Sequence, residues 1–335
     1  MSYNVRRIEE KYSLTIDAII DKKYEKEEHQ GKKVYHSVQK ALDNIKGSSA
    51  AIFVANGTYY EKLNIESASV TIIGEDRDQS ILTYDVASGT KKEDDSTYGT
   101  FESASVIVKS PNFAAYNITF ENSFDYMSEY MKADDDLTKM RNIQAVAFRT
   151  ADKSNQTKLK NCRFKGCQDT LLVDRGTHYF KDCIIEGNVD FIFGAGQVVF
   201  ETCDIISLDR GDSVNNGFIT AASTSIQTPY GFLFDSCKLL KETSQMKDET
   251  VYLGRPWHPG GDPHAQASVL FYQCEMDSHI KTNAWTEMGG FSPMDARLYE
   301  YNSSGAGAIV SDNRKVLTQK EAEEFYDYLR KHCVR

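Results

Sequence analysis

Short stretches of alternating apolar and polar residues recur through the middle of the chain. Alternation with a period of two is typical of a β-strand that buries one face. Six stretches share one pattern, in which a cysteine, or an isoleucine in the first, stands two residues before an apolar side chain: Tyr116–Phe120, Lys160–Phe164, Lys181–Ile185, Glu201–Ile205, Asp235–Leu239 and Tyr272–Met276. Successive cysteines of this set lie 21, 20, 34 and 37 residues apart. The pattern therefore indicates a unit of about 20 residues that repeats, with insertions in the longer intervals.

A repeat of this length predicts a solenoid rather than two globular domains. No helical pattern between the repeats is long enough for the crossovers of a parallel α/β sheet, so we expect an all-β fold, a single parallel β-helix with coils about 4.8 Å apart. The five repeated cysteines would then form an inward ladder of buried thiols. Disulfide bonds are the alternative, because neighbouring coils lie within bonding distance. The odd total of seven cysteines and the parallel direction of side chains in register favour the ladder.

Two short helical patterns flank the repeat and are predicted to cap its ends, because a solenoid must cover its edge strands. The first ends at Gly47 and has apolar residues spaced i, i+3, i+4, i+7: Val38, Ala41, Leu42 and Ile45. The second begins with a capping box, Thr318 and Glu321, followed by an apolar face: Ala322, Phe325, Tyr326 and Leu329. The segment from Glu121 to Arg141 is predicted to be a long loop that leaves the coil.

Composition narrows the choice of partners and compartment. The 335 residues carry 39 Lys and Arg against 49 Asp and Glu, a net charge of −10, which argues against a nucleic-acid partner. The longest apolar run, Ala50–Ala55, is far shorter than the roughly 20 residues of a membrane span. Residues 1–33 are charged throughout and fit no pattern, so we interpret them as an extension of unknown role before a β-helix domain at 34–335. Without a recognisable secretory signal we expect a cytoplasmic monomer; secretion with the signal removed is the alternative.

The repeat also brings two carboxylates together. If Cys162 and Cys183 are equivalent, then Asp169 and Asp190, each seven residues further on, are equivalent too. Their backbones would lie about 5 Å apart on successive coils. Two carboxylates this close do not both ionise readily, so we expect one raised and one low pKa, as in an acid and a base. The alternative is that each aspartate merely occupies a turn.

Five motifs around these residues resemble the pectinesterase family of carbohydrate esterases. They follow the family's order and span roughly residues 34–290: Gly57–Glu61 (GTYYE), Gln144–Phe148 (QAVAF), Gly166–Leu171 (GCQDTL), Asp190–Gly194 (DFIFG) and Leu253–Trp257 (LGRPW). The resemblance implies a right-handed parallel β-helix without metal or organic cofactor. It also implies a methyl-esterified galacturonan, polymer or oligomer, as substrate.

The resemblance assigns the catalytic roles residue by residue. Asp190 would be the nucleophile, and Asp169 the general acid and then the base. Gln168 and Gln144 would donate hydrogen bonds to the oxyanion, and Arg255 would keep Asp190 ionised. Each glutamine could instead be an exposed polar residue, and Arg255 could form a surface ion pair or a stacking contact.

Substrate contacts are implied in the same way. Trp257 and Phe193 offer flat apolar surfaces for a sugar ring, and Thr100 resembles a substrate-contacting threonine. Trp257 could instead be a core residue, and Thr100 a strand residue. Two positions depart from the family pattern. Leu172 stands where an aromatic residue is common in the family. Ala284 precedes Trp285 at a position where a glycine is usual.

Competing functions leave weaker traces. The chain has no Gly-x-Ser-x-Gly elbow, no His-Glu-x-x-His pair and no phosphate-binding loop, and its seven histidines show no ligand spacing. Two alternatives stay open: another pectin-degrading β-helix enzyme, a polygalacturonase or lyase, or a non-catalytic carbohydrate-binding β-helix.

Overall fold

The computed structural model describes residues 3–45, 47, 49–67, 69–151 and 153–334. Most regular structure in it is β-strand, in chain order: β1 (Ala18–Ile20), β2 (Glu28–His29), β3 (Lys32–Tyr35), β4 (Ala50–Val54), β5 (Gly57–Tyr60), β6 (Leu63–Ile65), β7 (Val70–Gly74), β8 (Ser80–Tyr84), β9 (Val106–Val108), β10 (Ala114–Tyr116), β11 (Thr119–Asn122), β12 (Phe148–Thr150), β13 (Thr157–Lys160), β14 (Arg163–Lys165), β15 (Leu171–Val173), β16 (Thr177–Lys181), β17 (Ile184–Gly187), β18 (Val189–Gly194), β19 (Gln197–Glu201), β20 (Asp204–Ser207), β21 (Gly217–Ala222), β22 (Phe232–Asp235), β23 (Lys238–Lys241), β24 (Val251–Gly254), β25 (Ser268–Tyr272), β26 (Glu275–Met276) and β27 (Arg297–Tyr301). The α-helices are α1 (Val5–Tyr12), α2 (Val38–Asn44), α3 (Gly99–Glu102), α4 (Tyr126–Tyr130) and α5 (Gln319–Cys333).

These strands stack into three long sheets, and each full coil contributes one strand to each sheet. The first sheet runs β2-β3-β1-β4-β7-β10-β13-β16-β19-β22-β25-β27, the second β26-β23-β20-β17-β14-β11-β8-β5, and the third β24-β21-β18-β15-β12-β9-β6. The neighbours pair in parallel, for example β15 with β18, and the exception in the described strands is the antiparallel pair β2–β3. This topology confirms the predicted all-β parallel β-helix.

The core fills the space between the sheets. Stacked aromatic rings run along it, such as Phe234, which lies 4.7 Å from Phe200 and 4.5 Å from Phe271 between ring centroids. Next to them lies the predicted cysteine ladder, whose five members are buried and unbonded: Cys162, Cys183, Cys203, Cys237 and Cys274. The ladder is confirmed, and its thiols donate to carbonyls of the preceding coil, as Cys237 Sγ does to Phe200 O at 3.3 Å.

One detail of the repeat was wrongly interpreted. The repeated pentapeptide is not a single strand but the corner between the first and second sheets. In one copy, Lys160 ends β13, Asn161 has a φ of 52°, and Arg163 begins β14. A single residue with left-handed backbone therefore turns the chain at this corner. As a result, the side chain of the following residue, Cys162, points into the core.

The N-terminal segment is part of the solenoid. β1 is hydrogen-bonded between β3 and β4 in the first sheet, so the predicted boundary at residue 34 does not separate a β-helix from an extension. α1 packs on the outer face of that sheet through Val5. Met1, Ser2 and Arg335, at the ends of the two predicted domains, lie outside the described residues.

The two predicted helices are present but differ in position from the prediction. α2 covers the first coil with buried Val38, Ala41 and Leu42, and it ends at Asn44, before Gly47. α5 has the predicted capping box. It lies along the side of the coil, against β16, β19 and β25, and not over its end.

Arg330 of α5 pairs with Glu201 and with Asp235, the latter at 3.2 Å. In the segment after β27, Ala308 packs against the core. Within the described residues, no helix is long and apolar enough to cross a bilayer.

Candidate active site

The repeat places two aspartates in register on the third sheet. Leu171 of β15 pairs with Ile192 of β18, so Asp169 and Asp190, each two residues earlier, occupy equivalent positions on successive coils. The Asp169 amide donates to the carbonyl of Val189 at 3.0 Å. The predicted register is therefore present.

Both aspartates have strained backbones. Their φ angles are 64° for Asp169 and 50° for Asp190, in the left-handed region that non-glycine residues seldom occupy. The pairing of β18 with β21 also shifts by one residue between Val189 and Ile192, a β-bulge that contains Asp190. Bulges redirect side chains, and here both carboxylates line one cleft although their residues are only 8% and 6% exposed.

Arg255 binds one of the two carboxylates through two nitrogens of its guanidinium. Nε donates to Asp190 Oδ1 at 2.9 Å, and Nη2 donates to Oδ2 at 2.6 Å. The close approach of β24 to β21 permits this, because a Cβ on Gly254 would lie 2.0 Å from Thr220 Oγ1. The glycine of the LGRPW motif thus brings Arg255 over Asp190.

The two carboxyl groups differ in their electrostatic surroundings. Burial and the neighbouring Asp190 raise the pKa of Asp169 well above its usual range. Burial also raises the pKa of Asp190, but the hydrogen bonds and charge of Arg255 oppose that rise. The expectation that one pKa stays low is therefore wrong, because removing Asp190 from water outweighs its arginine. The pKa of Asp169 is raised more strongly, so Asp190 loses its proton first.

The cleft around these acids has a volume of about 690 Å³. It is lined by Tyr98, Gly99, Thr100, Phe101, Glu102, Gln144, Arg149, Gln168, Asp169, Asp190, Phe193, Ala221, Arg255, Trp257 and Met288. All eight residues singled out from the sequence are in this lining. No three His, Cys, Asp or Glu side chains of the described residues are grouped so that they could hold a metal ion.

The two glutamines lie on successive coils beside the acids. The amide of Ala145 donates to the carbonyl of Gln168 at 3.1 Å, which places Gln144 one coil before Gln168. The buried side-chain oxygen of Gln144 has no hydrogen-bond partner among the described residues. The Gln168 side chain hydrogen-bonds Asp169 and lowers the pKa of that carboxyl, which opposes the effect of burial. Both amides are thus polar groups beside the carboxylates, where an oxyanion would need donors.

An apolar surface borders the acids. Phe193 is almost fully buried, and its ring lies 5.6 Å from that of half-buried Trp257, at an interplanar angle of 60°. Leu172 is in register with Phe193 but is completely buried, so it is part of the packing beneath the cleft. Thr100 lies on α3 and lines the cleft. The Ser103 hydroxyl donates to the Thr100 carbonyl at 2.7 Å.

Seven lining residues were missed by the sequence reasoning: Tyr98, Gly99, Phe101, Glu102, Arg149, Ala221 and Met288. Arg149 follows the QAVAF motif directly and pairs in register with Leu172, so strand alternation could have placed it on the cleft side. It forms an ion pair with Glu102 at 3.3 Å. Met288 precedes Gly289-Gly290, a pair that signals a tight turn; its amide donates to the carbonyl of Phe291 at 3.2 Å.

The cleft on the side of the parallel β-helix contains a buried pair of carboxyl groups, one of which is bound by an arginine. This arrangement is typical of a hydrolase site that uses carboxylates. A family model described as Pectinesterase matches residues 27–327. Pectinesterase A of Dickeya chrysanthemi is 34% identical over 315 residues, which covers 88% of this chain and 86% of that protein. The chain therefore belongs to the pectinesterase family, as its motifs indicated, and is an ester hydrolase of that family.

Solved structures agree with this assignment. A pectin methylesterase from Erwinia chrysanthemi matches with a TM-score of 0.87 at 33% identity, covering 93% of this chain and 95% of the other. A pectin methylesterase crystallised in complex with a hexasaccharide matches with a TM-score of 0.85 at 32% identity, over the same shares of the two chains.

Proposed function

We propose that this chain hydrolyses methyl esters of galacturonate units in homogalacturonan, releasing methanol, with Asp190 as nucleophile and Asp169 as general acid and base. One observation carries the proposal: two buried carboxyl groups face one cleft, and the two-pronged contact from Arg255 reaches only Asp190. The carboxyl group that ionises first suits nucleophilic attack, and the other retains a proton to donate.

The first half of the reaction forms an acyl-enzyme. An Asp190 carboxylate oxygen attacks the ester carbonyl carbon, and the carbonyl electrons move onto its oxygen as a tetrahedral oxyanion. Gln168 and Gln144 are the side-chain amides in the cleft lining that can donate to that oxyanion. Collapse of the intermediate breaks the bond to the methoxy oxygen, which takes the Asp169 proton and leaves as methanol. The sugar is then joined to Asp190 as an anhydride.

The second half releases the acid product. Asp169, now ionised, accepts a proton from water as the water oxygen attacks the anhydride carbonyl carbon. The bond to Asp190 breaks, which restores the Asp190 carboxylate and the Asp169 proton. The raised pKa of Asp169 makes it a stronger base than an ordinary carboxylate, so it suits both its roles.

The substrate class follows from the cleft and from the relatives. Phe193 and Trp257 provide an apolar wall of the kind on which a sugar ring stacks. A relative of known structure, 32% identical, was solved with a hexasaccharide bound. We therefore propose that a galacturonan oligomer occupies the cleft with one methyl ester over Asp190.

Methanol release from highly methylated pectin, and from a methylated tri- or hexagalacturonide, tests this function. Asp190→Asn should reduce release by at least about 10⁴-fold, since removal of a nucleophile costs most of the rate. Asp182→Asn, an aspartate at a corner outside the cleft, is the matched control. Near-normal turnover by Asp190→Asn would overturn the proposed mechanism. New reducing ends or unsaturated ends, without methanol, would indicate a polygalacturonase or a lyase instead.

A further inference from the structure

Two aromatic rings outside the cleft lining lie beside the catalytic arginine. Phe218 of β21 and Tyr252 of β24 are partners in register on the third sheet. Their rings are stacked, with centroids 5.5 Å apart and planes at 9°. On the other strand neighbouring β21, the partner of Phe218 is Val189, the residue before Asp190.

The Phe218 ring supports the guanidinium of Arg255 from the face. The central carbon of the guanidinium lies 3.9 Å from the centre of the ring, which is van der Waals contact. The same guanidinium contacts Asp190 through Nε and Nη2, so its edge is bound to the carboxylate while its face lies on the ring. Phe218 itself is 7% exposed.

The stack continues away from the nucleophile. Behind Phe218 lies Tyr252, and the Lys281 ammonium is 5.0 Å from the centre of the Tyr252 ring. Phe218 therefore contacts the Arg255 guanidinium and is also stacked on the ring of Tyr252. That ring restricts the movement of Phe218 away from the arginine.

Arginine has several rotatable bonds, and a two-pronged contact with a carboxylate exists in only a small share of its rotamers. The flat ring against the guanidinium excludes other arginine rotamers. It also shields one face of the guanidinium from water, and a cation–π contact is stronger when it is desolvated. We propose that Phe218, backed by Tyr252, is a positioning residue that keeps Arg255 in its two-pronged contact with Asp190. The effect of Phe218 on the rate rests on the proposed function, whereas its contact with Arg255 is independent of that function.

Loss of the Phe218 ring should change the pKa of Asp190, an effect that a general loss of stability would not produce. An arginine free to turn lowers the pKa of Asp190 less, so the nucleophile would hold its proton to a higher pH. The other charged groups that act on the two acids are Arg210, which also lowers the pKa of Asp190, and Asp190 itself, which raises that of Asp169. A substitution at Phe218 leaves Arg210 in place, so any change in the titration of Asp190 reports on Arg255.

The test compares Phe218→Leu, which keeps an apolar side chain but loses the ring, with Phe218→Tyr, which keeps the ring. Phe218→Leu should lower kcat by roughly 10-fold with little change in KM, the rate equivalent of a desolvated cation–π contact. The acid limb of its pH–rate profile should move up by about half a unit to one unit. Phe218→Tyr should restore both values. Tyr272→Leu, which removes a ring stacked between neighbouring strands of the first sheet, is the control for loss of stacking alone.

A second measurement needs no turnover and so separates this proposal from the proposed function. In protein with ¹³C-labelled aspartate, the Asp190 carboxyl should titrate at a higher pH in Phe218→Leu than in wild type, whether or not methanol is released. An unchanged Asp190 titration, or an unchanged acid limb alongside a lower kcat, would overturn the positioning role. Should Phe218→Leu fail to fold, Tyr252→Leu, which loosens the ring from behind, should give a smaller shift in the same direction.

Discussion

The pair Arg255–Asp190 in the cleft and the pair Arg314–Glu300 at the C-terminal end are the same chemical contact in different surroundings. Arg314 reaches Glu300 through Nε at 2.7 Å and Nη2 at 2.5 Å, much as Arg255 reaches Asp190. The side chain of Arg314 is 1% exposed, whereas that of Arg255 is 22% exposed.

The difference lies in what else each pair touches. Arg314 also donates to the carbonyl of Gly307 at 2.7 Å, and its surroundings are protein throughout. Asp190 instead faces a cleft and has a second carboxyl group, Asp169, on the next coil. The comparison teaches that a two-pronged arginine fixes a carboxylate in either place. Chemistry becomes possible only where the carboxylate meets both a cleft and a proton donor.

Among the changes that test this comparison, removal of the proposed proton donor should have the largest effect. Asp169→Asn should lower kcat for methanol release by about 10²–10⁴-fold, the usual contribution of a general acid. The same change should make the protein more stable at neutral pH. For a buried acid with a raised pKa, the cost of folding is absent below its unfolded pKa and fully present above its folded pKa.

Initial rates and thermal unfolding at pH 4 and pH 7 check both parts of this prediction, with Asp182→Asn as control. Activity within a few-fold of wild type would remove Asp169 from the mechanism. A lower melting temperature at pH 7 would contradict the electrostatic reasoning.

The second prediction breaks the structural pair. Glu300→Gln leaves the nearly inaccessible Arg314 without a counter-charge, so it should lower the free energy of unfolding by about 3–5 kcal/mol. Activity per folded molecule should stay unchanged, because Glu300 is not in the cleft lining. Urea unfolding, with kcat measured on the folded fraction, tests this. A fall in kcat on fully folded protein would show that the two pairs are not independent.

The third prediction concerns pH. The proposed mechanism requires Asp190 ionised and Asp169 protonated, so the rate should fall below the pKa of Asp190 and above that of Asp169. Both pKa values are raised, so the acid limb should lie above the usual aspartate value of about 3.9, with a loss of about 10-fold per pH unit. A profile of kcat/KM against pH measures this, and full activity down to about pH 3.9 would contradict it.

The smallest effect is expected at the apolar wall. Trp257→Ala should raise KM by about 5- to 10-fold with little change in kcat, the equivalent of one lost stacking contact. Trp285→Phe is the matched control, because Trp285 is buried in the core and away from the cleft lining. A change in kcat alone would mean that Trp257 acts on the reacting groups and not on sugar binding.

The repeat made the register of the acids predictable, but not the conformation at each corner. Equal spacing in the sequence is enough to align Asp169 with Asp190. Left-handed backbone at the corners is not apparent from the residue types, because Thr202 and Gln273 adopt it as well as Asn161. Tertiary stacking imposes that conformation on residues that do not favour it.

Most of the cleft residues that escaped the sequence share a physical cause. Tyr98, Phe101 and Glu102 come from α3 and the segment before it, an insertion that no repeat aligns. Met288 comes from a turn beyond the last matched motif. The motifs identified the acids and the apolar wall of Phe193 and Trp257, whereas the rest of the cleft wall comes largely from segments whose positions only the folded chain determines.

In a solenoid each coil normally contacts only its two neighbours, so disorder can spread inward from either end. α5 changes this, because one rigid helix packs against β16, β19 and β25 together and Arg330 joins Glu201 to Asp235. The coils between β16 and β25, which carry Asp190, should therefore open as one cooperative unit. Amide hydrogen exchange in β16–β25 should proceed at a common slow rate, and truncation before Thr318 should let the coils exchange one after another.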